Sequence, residues 1–126
     1  MSTADDIREK IEAVEEAYEF MLAYAAQGRA EEGAGPDGAQ IREFLRQFDD
    51  AVSAISGMID DLPGIEEEKA GFAASLKKDS ETMSSVLRIM LSRDNVSSEM
   101  VDNANGMIAV RSYLTSLFFL DKAVLA

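Results

Sequence analysis

Apolar residues return along most of this chain every three or four positions, the period of one face of an α-helix. Ile7, Ile11, Val14, Tyr18, Met21 and Ala25 form the first such stripe. Ser2 or Thr3 offers an oxygen to cap it, Asp5, Asp6 and Glu9 put negative charge at the positive end of its dipole, and Gly28 stands where a helix stops. The pattern predicts a helix over about 3–27. A second stripe, Ile41, Phe44, Leu45, Phe48, Val52, Ile55, Ile59 and Leu62, predicts a helix over 38–62. The capping-box pair Asp37 and Gln40 opens it and Pro63-Gly64 closes it. A third helix, over 65–92, carries Ile65, Phe72, Leu76, Met83, Leu87 and Met90, with an interruption at Asp79 or Ser80. A cap at Ser97 or Ser98 then starts a fourth over 98–124, whose core face reads Met100, Ala104, Met107, Ile108, Leu114 and Phe118.

Residues 28–38 break the period. They hold four glycines and a proline, too many for a helix, and predict a mobile loop that a protease should cut first. Four helices of similar length with short connections predict an all-α fold: an antiparallel, up-down-up-down four-helix bundle forming one domain over 1–126.

The fourth helix has more apolar surface than one core needs. Beside its core face run Gly106, Val110, Tyr113, Leu117, Leu120 and Val124, again at helical spacing. A helix that is apolar on two faces is central or buried in an oligomer, and no helix of a four-helix bundle is central. Val110, Tyr113, Leu117, Leu120 and Val124 are therefore expected to form a homodimer interface. Asp79, Arg111 and Asp121 fall on or beside the core stripes, and a charge taken inside has to be paired. Asp79 with Arg111 is the expected buried polar pair.

Charge adds a second asymmetry. The net charge is −12; residues 1–62 carry fifteen acidic and five basic side chains, residues 63–126 nine and seven. Such a balance repels nucleic acid and anionic lipid, and suits a protein partner with a basic surface. The longest apolar run, Phe20 to Ala26, has seven residues, far short of the ~18 of a membrane span. The opening Met-Ser-Thr-Ala-Asp-Asp lacks the basic and apolar segments of a signal peptide, so the cytoplasm is the expected location.

Candidate chemistry is thin. There is no cysteine and no histidine, so thiolate nucleophiles, imidazole bases and the usual transition-metal ligands are missing from the chain. No phosphate-cradling glycine motif is present. Glu15-Glu16-Ala17-Tyr18-Glu19 resembles the E-E-x-x-E motif of the all-α nucleoside triphosphate pyrophosphatases. That resemblance implies Mg²⁺ held by Glu15, Glu16 and Glu19 against a substrate's phosphates. The family's companion E-x-x-D motif is matched only by Glu99 and Asp102, some eighty residues onward instead of on the next long helix. Met83, Met90, Met100 and Met107 gather near the third-to-fourth turn and could line a site for an apolar small molecule. The resulting expectation is a non-enzymatic accessory protein, a chaperone, adaptor or regulator, with no cofactor and no metal. The Mg²⁺ pyrophosphatase and the small-molecule binder are its rivals.

Overall fold

The computed structural model describes residues 2–33, 35–62 and 68–125, without the side chains of 35–39. All five α-helices among them come from the expected stripes: α1 (Thr3–Ala26), α2 (Gly35–Met58), α3 (Ala70–Leu91), α4 (Ser98–Gly106) and α5 (Ile108–Phe119). A 3₁₀ turn, Ile59–Asp61, extends α2, and a π turn, Leu120–Val124, extends α5.

The ends of α1 obey their caps. The Ser2 hydroxyl accepts from the Asp5 N–H at 3.2 Å, and Gly28 takes the positive φ of 65° that lets the chain leave the helix. Helix α2 begins at Gly35, three residues inside the expected loop, with Pro36 in the first turn, where a missing N–H costs no helical bond. The expected Asp37 cap lies outside the described side chains, and Pro63-Gly64 and Ile65 lie outside the described residues. Helix α3 starts at Ala70, after a turn at Glu68 and Lys69, and not at 65.

Helix α1 packs on α2, α2 on α3, α3 on α5 and α4 on α1, so α4 and α5 together close the set. One core joins them, with Ile7, Val14, Met21 and Tyr24 meeting Ile41, Phe48, Ile55, Leu76, Met83 and Leu87. Ser80 is the interruption in the α3 stripe, and its hydroxyl donates back to the Leu76 carbonyl at 2.9 Å, so it enters the core satisfied.

The first half of the loop expected to be mobile is tied down. Ser98 and Arg29 exchange two hydrogen bonds, the Ser98 N–H to the Arg29 carbonyl (2.9 Å) and the Arg29 N–H to the Ser98 hydroxyl (2.7 Å). The Asn95 amide donates to the Ala30 carbonyl (2.8 Å) and accepts from the Glu32 N–H (3.0 Å). Glu32 accepts two bonds of 2.8 Å from Arg42 and one of 2.7 Å from the Val96 N–H, and the Tyr24 hydroxyl donates to the Val96 carbonyl at 2.6 Å. Glycine content forecast freedom, but polar side chains from both loops and from α2 supply the bonds that a helix would have.

The fourth expected helix is two. Gly106 ends α4, Met107 is extended (ψ 134°) with its N–H on the Ala104 carbonyl at 3.1 Å, and α5 begins afresh at Ile108. Asn103, Asn105 and Gly106 carry low helix propensity, and Asn-Gly is a turn signal, so the break has a local cause. Just before it Asn105 is buried, and neither its amide nitrogen nor its oxygen meets a partner among the described residues. Asn105→Leu keeps the branched four-heavy-atom skeleton of the side chain and removes two unpaired polar groups. It should raise stability by about 1–2 kcal/mol, read as a higher denaturant midpoint at unchanged slope; a lower midpoint would mean that the amide is used.

Candidate interaction face

The break at Met107 resets the helical phase of the rest of the chain. In an unbroken helix, Ala104 would be succeeded inward by Met107, Ile108, Leu114 and Phe118. Helix α5 keeps Leu114 in the core but turns Val110, Tyr113 and Leu117 in beside it, with Leu120 after them in the π turn. Val124 is half-buried and packs against them. The residues expected to meet a second copy are thus the core of the chain itself, and four of the five are closed to any partner.

Leu114 apart, the side chains of α5 left outside include those expected within. Ile108 is 85% exposed, Phe119 56%, Phe118 53%, and Met107 is exposed beside them. Phe72 of α3, expected in the core, stands half-buried against Phe119, ring centroids 5.3 Å apart and edge-on. Between α3 and α5, Phe72, Ile108 and Phe119, with Arg111, Ser112, Thr115 and Ser116, border a shallow groove of about 410 Å³. The Thr115 hydroxyl donates to the Arg111 carbonyl at 2.8 Å, so it asks nothing of a partner.

The electrostatics of this face differ from the rest. From Asn103 to Leu120 there is no carboxylate, the longest such stretch in a chain with 24 acidic residues. Arg111 and Lys122 are its cations; Asp121, at its edge, is engaged by Arg8 at 3.2 Å. Four large apolar side chains, Met107, Ile108, Phe118 and Phe119, are exposed within this stretch, and no acid stands among them in the sequence.

The other expected sites do not assemble. Arg111 is exposed and its Nε donates to the Asn105 carbonyl at 3.4 Å, whereas Asp79 is half-buried beside Tyr113. No ion pair joins them among the described residues, because the phase reset turns Arg111 outward. Tyr113 is buried, and that burial raises its pKa, so its hydroxyl stays neutral. Glu15, Glu16 and Glu19 are exposed on α1, with the Gln47 amide 3.5 Å from Glu16, and no three carboxylates of the described residues converge where a metal ion could sit. Glu99 and Asp102 are exposed at the far end of α1, beside Gly28 and Arg29. Met83 and Met90 are core, Met100 is half-buried and Met107 is outside, so the four methionines share no site. No helix among the described residues is long and apolar enough to cross a membrane. No family model matches the chain, and neither does any curated protein or solved structure.

Proposed function

We propose that this protein is a non-enzymatic accessory protein of the cytoplasm, a small acidic helical bundle that works by binding other protein surfaces. In this reading α4 and α5 share the fourth position of an antiparallel four-helix bundle. The observation that carries it is the carboxylate-free face of Ile108, Phe118 and Phe119, whose exposure an isolated chain gains nothing from. A second surface supports it. Glu9, Glu12, Glu15, Glu16 and Glu19 stand outward along α1, a row of negative charge suited to the basic surface of a protein it assists.

A photo-crosslinking residue placed at Glu16, and separately at Phe118, tests this in cells. Adducts to one or a few defined foreign proteins are expected from at least one of the two positions, with those from Glu16 weakened by added salt. No foreign adduct from either position would remove the accessory role.

A further inference from the structure

We propose that the exposed face of α5 pairs with the same face of a second copy of this chain, the two helices running antiparallel about a twofold axis. The proposal rests on the reading of this face as a contact surface and names what covers it.

The outward residues of α5 read Ile108, Ser112, Thr115 and Phe119, spaced four, three and four. That order is the same in both directions: large, small, small, large. A twofold axis between Ser112 and Thr115 therefore sets Ile108 of each copy against the partner's Phe119, and Ser112 against the partner's Thr115. The small central pair lets the helix backbones close together, while the shallow groove that Phe72 and Phe119 border beside α5 offers a seat for the protruding Ile108 of the other copy. Flanking residues fit as well. The axis keeps Arg111 and Phe118 on one flank, and at 1.5 Å rise per residue it brings Arg111 within ~3 Å, along the helix, of the partner's Phe118. That is within reach of a cation–π contact.

Charge points to the same face. Two chains of net charge −12 repel over most of their surfaces, and α5 itself brings no carboxylate to the meeting. Area agrees. Aromatic side chains cover roughly 150–250 Å² each, so the half-exposed Phe118 and Phe119 supply ~200 Å², and Ile108 with Met107 raises the apolar total to ~400 Å² per copy. A standard interface takes ~800 Å² from each partner, a little over half of it apolar. The hydroxyls, Arg111 and Lys122 around the stripe provide the polar remainder.

Sedimentation of the full chain at tens of micromolar should give twice the 13.7 kDa chain mass. Ile108→Glu with Phe119→Glu should sediment as a monomer with unchanged helical circular dichroism, since both positions are outside the core. Because the chain has no cysteine, mixed Ser112→Cys and Thr115→Cys chains should form a cross-axis disulfide faster than Glu12→Cys chains do. A monomeric wild type, a dimer that survives the double substitution, or no preference for the 112–115 crosslink would each overturn the pairing. The accessory role is judged separately: a monomeric wild type that still gives foreign adducts at Phe118 assigns the face to another protein, and a dimer with self-adducts alone leaves the pairing standing without that role.

Discussion

Leu117→Glu should abolish the folded state, or lower its melting temperature by ~15–30 °C, while Phe118→Glu should move it by no more than a few degrees. The two positions are neighbours in sequence and opposites in the fold: Leu117 is 1% exposed, Phe118 53%. Replacing Leu117 forfeits about 2–3 kcal/mol of apolar burial. It also puts a carboxyl into the hydrophobic core, so the group must take up a proton or lose its hydration, at about 1.4 kcal/mol for each unit its pKa has to rise. The sum, about 5 kcal/mol or more, is comparable with the whole stability of a domain this size. Phe118→Glu loses only half-exposed surface. Thermal melts monitored by circular dichroism decide between the faces: if Phe118→Glu unfolds the chain and Leu117→Glu is tolerated, α5 continues the phase of α4 and the interaction face is misplaced.

That contrast turns on the part of the fold the sequence left ambiguous. Regular periodicity located α1, most of α2 and α3 because each has one apolar stripe between strong punctuation, as at Ser2 and Gly28. The region after Ser98 carries two stripes of equal quality, and period alone does not say which faces inward. The deciding signal was present but weak: Asn105-Gly106 is a turn dipeptide, and one extended residue after it rotates the whole of α5 relative to α4. An unbroken helix over 98–124 merges two helices into one and, Leu114 apart, exchanges core for surface in the second. The chemistry at 28–33 was obscured for a different reason. Composition reports what a segment can do with its own backbone, but the bonds that hold Ala30 and Glu32 come from Asn95 and Arg42, far away in the chain. The proposed accessory role carries no such local signal, since a contact surface is specified by a partner that the sequence does not contain.

Arg42→Ala should cost about 2–3 kcal/mol and lower the melting temperature by ~10 °C, the largest effect expected outside the core. Arg42 donates twice to Glu32 and reaches the Leu91 and Arg93 carbonyls at 3.0 and 2.6 Å, so it caps the C-terminal end of α3 with positive charge while fixing the loop after α1. The side chains are 23% and 16% exposed, which places the pair between a surface ion pair worth under about 1 kcal/mol and a fully buried one worth about 3–5 kcal/mol to break. Glu32→Gln, Arg42→Met and the double variant form a cycle whose coupling energy should exceed about 1 kcal/mol; near zero would reduce the pair to two independent surface charges. The pH dependence has a fixed sign. The Arg42 hydrogen bond holds the Glu32 carboxyl below its ordinary range, so the folded chain binds fewer protons there than the unfolded chain. This stabilisation is fully present above the unfolded value of about 4.3 and is lost as pH falls through the lower folded one. The gap between wild type and Glu32→Gln should therefore be widest near neutral pH and narrow below about pH 4. Low-dose trypsin supplies the structural readout, because Arg29 lies in the segment this network holds. Wild type should resist cleavage there and Arg42→Ala should be cut first; wild type cut first at Arg29 would mean that these bonds do not hold the loop closed.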